Sequence, residues 1–363
     1  MIETIQEETK LSSVLTYRLI AQTPYIHFQY SQDGATVRAT EVKPKLDRFL
    51  RKKAQKENLD IKGWCVKDTQ ALNYKLRLIA VGQRSIYELG LRTEYDIYYG
   101  NTGQPADKIK KGVMSDVKLT VMCSYPALRA LIDRYIGEFF AVTNFGSMSG
   151  KGFGSFIVYE KKLTESQIAE ALKEESNSPK CYVFPAGYQT FKRIKSVYSA
   201  MKSGISFGGK FPSILFEYMD RKVIGNEKDW LKYRRLVPSR YPQRIDGRKS
   251  YHYVRALLGV GDRAPYRDGT VITISNENIQ RLASPVFFKV IGSNVYMVAN
   301  RINEAIYNAE FVFSSNNGQK TNLTVPSKDK VGESFIDAFL AHAVVSINRN
   351  ESVFRNFTIK EVR

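Results

Sequence analysis

The sequence predicts a mixed α+β protein of two domains, and three observations carry that prediction. The first 160 residues alternate between strand-like and helix-like segments in the order β-α-β-β-α-β. A glycine-rich run separates the last helix of that series from its last strand. At 363 residues the chain exceeds the usual length of one hydrophobic core, and its 43% apolar content suffices to build two.

From Leu15, LTYRLIAQTPYIHFQY alternates as a long strand or hairpin, with Thr23-Pro24 as a kink. SQDGATVRATEV then reads as a loop. Pro44 stands where a first helical turn accepts proline, and KPKLDRFLRKKAQKEN follows as a helix. Its Leu46, Phe49, Leu50 and Ala54 share one face, while Lys45, Arg48, Arg51, Lys52 and Lys53 cover the others. ALNYKLRLIAVGQ alternates at Leu72, Tyr74, Leu76 and Leu78 and predicts a strand, and SDVKLTVMCSY predicts the next after a polar loop. PALRALIDRYIGEFFAVTNFG opens on Pro126 and sets Leu128, Leu131, Ile132, Tyr135, Ile136 and Phe139 on one helical stripe. FGSFIVYEKKL predicts the fourth strand. This order is that of a ferredoxin-like (RRM-like) domain over residues 1–164, four antiparallel strands with both helices on one face. The open face of such a sheet is a common surface for single-stranded RNA.

Residues 165–363 predict a second, degenerate α+β domain. KCYVFPAG, GTVITISNE, SPVFFKVIGSNVYMVANRI and AEFVFSS read as strands, with IGSNV as a hairpin turn. YQTFKRIKSVYSAMKSG reads as a basic helix and SFIDAFLAHAVVSIN as an apolar one. Between them, residues 226–255 read as loop, and the tract 228–255 within it holds nine Lys/Arg against Asp229 and Asp246, with Tyr233, Tyr241, Tyr251 and Tyr253 interleaved.

Charge narrows the partners. Fifty-five Lys+Arg against 36 Asp+Glu leave a net +19, which favours polyanions: nucleic acid first, an anionic membrane second. The acidic N-terminus is unlike a signal peptide and no window reaches a membrane-spanning length, so a cytoplasmic protein without a membrane partner is expected. Cys65, Cys123 and Cys181 have no paired ligand spacing and read as reduced thiols; with His27, His252 and His342 equally scattered, no metal site is predicted.

The glycine run NFGSMSGKGFGSF (144–156) fails as a dinucleotide fingerprint because a helix precedes it and a strand follows. It fails as a P-loop because three residues, not four, part Gly146 from Gly150, and Gly152 stands where a hydroxyl belongs. What survives is a loop whose Gly146, Gly150, Gly152 and Gly154, with Lys151, would let a phosphate chain lie against the backbone. The alternative is a glycine C-cap followed by a bulged strand entry, with no ligand.

At this point the chain resembles the RAMP superfamily of CRISPR-associated RNA-binding proteins, whose hallmark is a glycine-rich loop between the second helix and the last strand. GSMSGKGFGS is similar to that loop and stands in the same place. HFQYSQDGATVRATEVKPKLDRFLR is similar to the strand-loop-helix start of type III effector backbone subunits, with Arg38, Lys43, Lys45 and Arg48 in corresponding positions. The family's Ser-x-Lys-Gly is replaced here by Val42-Lys43-Pro44-Lys45. RLASPVFFKVI (281–291) is similar to an Arg-x-x-Ser-Pro strand found late in some two-domain members. The resemblance implies an antiviral ribonucleoprotein subunit that holds guide RNA, target RNA or both beside other effector subunits. Its RNA contacts would be the residues named above together with Arg234, Arg235, Arg240, Arg244 and Arg248 of the basic tract.

Cations hold phosphates and tyrosines stack unpaired bases, whereas the bland account of the tract is a solvated basic loop with its tyrosines tucked into an interface. Two enzymatic alternatives stay open, and both are endoribonucleases. Asp33 resembles the target-cleaving aspartate of backbone subunits, the one case in which magnesium would be needed as a cofactor, although Asp33-Gly34 is also ordinary turn chemistry. Guide processing through His27 or His252 is the other. A basic protein that binds an acidic protein surface or a membrane is the third class, and it leaves the glycine loop without a purpose.

Overall fold

The computed structural model describes residues 13–27, 35–89, 110–205, 211–238, 244–266, 268–350, 353–354 and 357–362 of the chain. They form a mixed α+β protein in two compact units. The first holds the described residues up to Leu89, Lys110–Leu172 and Lys289–Ser293, and the second holds the others.

In the first unit, β1 (Val14–Ala21), α1 (Ala39–Lys56), β2 (Lys75–Leu89), β3 (Lys110–Met122), α2 (Pro126–Val142) and β4 (Phe156–Val158) follow in order. The strands make one sheet in the order β2-β3-β1-β4. All three pairings are antiparallel, with Leu19 opposite both Val117 and Val158. Alternation turns Tyr17 and Leu19 of β1 and Val117, Leu119 and Val121 of β3 inward. The helical stripes Val42-Leu46-Phe49-Leu50 and Leu128-Ile132-Ile136-Phe139 are buried as well. Phe139 lies 5.6 Å from Phe49 and 6.0 Å from Phe145, so the entry to the glycine loop is part of this aromatic core.

Several boundaries differ from the sequence expectation, each for a physical reason. β1 ends at Ala21, and after Thr23-Pro24 the described chain rejoins the sheet through the Tyr25–Val113 bridge. α1 starts at Ala39, so Pro44 lies inside it and forgoes the bond to the carbonyl four residues back. Burying Val42 at the head of the apolar stripe, worth about 1.5–3 kcal/mol, offsets that loss. β2 runs through a bulge between Val81 and Ser85, and β4 is only three residues long. A helix not foreseen, α3 (Glu165–Ser176), opens on a capping box: Gln167 N donates to Thr164 Oγ1 at 3.3 Å, and Thr164 N to Gln167 Oε1 at 2.9 Å.

The second unit carries β5 (Tyr182–Pro185), α4 (Thr190–Lys202), α5 (Ile214–Asp220), β6 (Ile224–Asn226), α6 (Glu227–Tyr233) and β7 (Ser250–His252). Then come β8 (Arg263–Pro265), β9 (Val271–Ser275), β10 (Val286–Ile291, of which Lys289–Ile291 belong to the first unit), β11 (Asn294–Ala299), β12 (Glu310–Ser315), β13 (Lys320–Thr324), α7 (Lys328–Val331), α8 (Phe335–Asn348) and β14 (Lys360–Glu361). Two four-stranded sheets result, β10-β11-β5-β14 and β13-β12-β9-β8, beside a short parallel pair β6-β7. The stretch expected to be loop at 226–255 therefore contains α6 and β7. Tertiary contacts stabilise them: Glu227 is fully buried and accepts from Arg255 Nε and, at 3.0 Å, from Val254 N. Burial, then the Arg255 charge, brings the neighbouring Lys202 ammonium down to about 7. Among the described residues no helix is long and apolar enough to cross a membrane.

Candidate nucleic-acid interface

The glycine loop leaves α2 through Asn144 and returns at Ser155, which pairs with Asn144 in an isolated bridge. Gly146 (φ +78°) and Gly154 (φ +65°) stand where the chain crosses itself. A Cβ on Gly146 would lie 2.4 Å from the Ile26 carbonyl oxygen, and one on Gly154 would lie 1.9 Å from that of Phe145. Close approach of a backbone is thus the reason for these glycines, and the approaching backbone is the protein's own. Many of the loop's amides donate inward: Gly146 N to Glu41 Oε1 (2.7 Å), Ser147 N to Ile26 O (2.8 Å) and Gly154 N to Pro24 O (2.9 Å). Thr23 Oγ1 donates to Gly152 O at 2.7 Å and accepts from Ser155 N at 2.9 Å. Gly152 is buried at φ +89°, and the Lys151 ammonium is also buried. Gly150 differs, since no atom lies within 4 Å of a Cβ built on it, and the half-exposed tip 147–151 is the part that faces outward.

α1 supplies the loop's anchor. Glu41, in its first turn, also accepts from Tyr25 Oη and Lys45 Nζ, both at 3.0 Å. Burial, then the Glu41 charge, pushes the Tyr25 phenol well above its ordinary value. Lys45 Nζ also donates to Asn144 O at 3.1 Å, and Lys43 Nζ to Asp47 Oδ2 (2.8 Å) and Leu72 O (2.9 Å). These two lysines therefore join the helix to the loop and to the approach to β2. Arg38 and Arg48 are exposed. Asp33 lies outside the described residues.

In the second unit the basic tract carries an aromatic cluster. The Trp230 ring lies 5.7 Å from Tyr233 and 5.6 Å from Tyr251, and the Arg234 guanidinium stands 6.0 Å from the Trp230 ring. Tyr251 Oη accepts from Asp246 N at 2.9 Å, and Asp246 in turn grips the exposed Arg248 through two bonds of 3.0–3.1 Å. That grip holds the Asp246 carboxyl down at about 2. Arg234, Arg235 and Arg244 are exposed, and Arg240 and Tyr241 lie outside the described residues. Tyr253 is not a surface ring; it is buried between Phe311 and Phe313. His252 is buried; its Nδ1 donates to Thr324 O (3.1 Å), and its Nε2 meets Ser250 Oγ and Lys330 Nζ (both 3.2 Å). These contacts tie β7 to β13 and to α7. Among the described residues no three metal-ligating side chains gather.

One residue that sequence reasoning missed lies in the 281–291 segment. Lys289 is fully buried, and its Nζ donates to Phe140 O (2.7 Å), Thr143 O (2.8 Å) and Phe156 O (3.4 Å). It thereby caps the C-terminal carbonyls of α2, whose last turn has no basic residue of its own. Burial pushes the Lys289 ammonium well below its ordinary range.

Among solved structures, the chain is similar to Cmr1 from Pyrococcus furiosus in its apo form, with 11% identity and a TM-score of 0.42 over 86% of this chain and 99% of that one. No curated protein matches it. The family model described as the Cmr1 N-terminal domain matches residues 12–205, and that of the Cmr1 C-terminal domain matches residues 210–363. With nearly its whole length matched, the chain belongs to the Cmr1 family, RAMP-like subunits of type III CRISPR effectors.

Proposed function

We propose that the chain holds single-stranded RNA, guide or target, within the effector complex, through phosphate contacts and base stacking that are indifferent to sequence. The observation that carries this reading is the cluster of Arg234, Trp230 and Tyr251 in the second unit, tied through the Asp246 amide and carboxylate to the exposed Arg248. Fixed aromatic faces stack any base, and guanidinium groups engage phosphates without reading base edges. In the first unit we infer a ferredoxin-like domain, supported by the β2-β3-β1-β4 order and the helical crossovers. Its RNA contacts are the loop tip around Gly150 with Arg38 and Arg48, while Gly146, Gly152, Gly154, Lys151, Lys43 and Lys45 shape that surface from behind. Neighbouring subunits and the guide complete the particle.

Binding of labelled poly-U to the full chain tests the reading. Affinity is expected to fall linearly in log[salt], with a slope of about −0.7 per engaged phosphate. Replacing both Arg234 and Arg235 by Ala should flatten that slope by about 1.4. An unaltered chain that leaves poly-U unbound at low salt would sink the proposal.

A further inference from the structure

Beside the N-terminal half of α4, in the second unit, lies an open groove of about 370 Å³. One side is lined by Tyr188, Gln189, Lys192 and Ser196. Phe354 and Phe357 form its apolar floor. Arg193 also lines it, as a fixed planar cation. Its Nη1 donates to Pro185 O at 2.7 Å and Ala186 O at 3.2 Å, and its guanidinium lies 5.3 Å from the Phe357 ring centroid. Gly187 makes that placement possible, because a Cβ there would meet Arg193 Nη1 at 2.8 Å. Phe357 is itself stacked on Phe184 of β5 at 5.2 Å, so the floor is tied to the sheet. Next to this rigid wall Tyr188 is 80% exposed, the most accessible of the large exposed hydrophobic side chains among the described residues.

We infer that this groove receives one unstacked nucleotide of a single-stranded RNA, its base on the Tyr188 ring and its phosphate against Lys192. Charge complementarity selects that occupant. The described lining includes two cations and no carboxylate, which suits an anionic ligand. The exposed ring and apolar floor call for a flat partner, and the Gln189 amide and Ser196 hydroxyl can meet polar base edges. The volume suits a ligand of nucleotide size and leaves no room for a duplex. Nothing in the preceding assignment uses α4, and the inference rests on that RNA reading while adding a separate subsite to it.

The test is a salt titration of labelled poly-U on the full chain and three variants. Tyr188→Ala should weaken binding roughly tenfold, as expected for one lost stacking contact, while Tyr188→Phe should bind like the unaltered chain. Lys192→Ala should flatten the log-log salt slope by about 0.7, and Tyr188→Ala should leave that slope unchanged. Thermal midpoints should stay level, because both side chains reach solvent. If the unaltered chain binds poly-U and both alanine variants match it, the groove is not a nucleotide site, although the broader RNA reading stands. If the unaltered chain does not bind, both readings fall. Unchanged RNA affinity together with loss of co-purifying subunits in Tyr188→Ala would overturn the inference in favour of a protein-docking groove.

Discussion

Replacing Lys289 by Met should destabilise the protein, and by an amount that grows as the pH rises. The native amine donates to two carbonyls at 2.7 and 2.8 Å and to a third at 3.4 Å. Methionine keeps most of the volume but leaves the two well-bonded oxygens buried and unsatisfied, a loss of about 2–6 kcal/mol. Part of that loss is offset near neutrality, because the wild-type chain must hold the amine in an environment that disfavours its proton. The folded pKa lies well below the ordinary 10.5, so between the two values the unfolded chain binds one proton more than the native state. Wild-type stability then rises by about 1.4 kcal/mol per pH unit from this group, whereas the variant lacks the effect. Urea unfolding followed by circular dichroism at pH 7, 8 and 9 reads the difference directly. Contributions common to both chains, such as that of Lys202, cancel in the subtraction. The gap should widen as the pH is raised from 7 to 9. A gap that stays constant with pH would refute the depressed pKa. A variant as stable as wild type at pH 9 would refute the capping role.

Two further outcomes follow from the site. Gly146→Ala should lower the thermal midpoint by several degrees, because its Cβ meets the Ile26 carbonyl at 2.4 Å, whereas Gly150→Asp should leave the midpoint level while weakening poly-U binding. Burial holds the His252 imidazole below its ordinary 6.5, opposed by the Thr324 bond and reinforced by the Lys330 charge. The unfolded chain therefore takes up the proton first, and stability present above pH 6.5 is lost as the pH falls below it. The loss should be smaller in His252→Gln, as read by scanning calorimetry between pH 7 and 5.

Local periodicity was enough for the secondary-structure order of the first unit. Alternation at Leu72, Tyr74, Leu76 and Leu78 marked the approach to β2 and its first residues, the first two buried and the last two half-buried, and the stripe from Leu128 to Phe139 marked α2 because it buries against the core. The Thr164-x-x-Gln167 capping box also stands in the sequence, yet α3 was not expected from it and emerged only in the folded chain. The net charge of +19 pointed to a polyanion without any fold at all. Other features depend on partners far away in the chain. The glycine spacing signalled close approach, but only the folded chain shows that Ile26 and Phe145 are what approach, leaving Gly150 as the open position. Lys43 and Lys45 had the composition of a phosphate-binding face, yet beside their helical neighbours Asp47 and Glu41 the carbonyls of Leu72 and Asn144, 29 and 99 residues away, engage them.

Lys289 makes the same point from the other side, since its carbonyl partners are 133 to 149 residues distant. A lysine inside an apolar strand has no local signature that separates a buried cap from an exposed cation. Composition and periodicity, being sums over neighbours in sequence, determined the β-α-β-β-α-β order of the first unit and pointed to a polyanionic partner. Which cations face solvent was decided by long-range hydrogen bonds, which only the tertiary structure brings together.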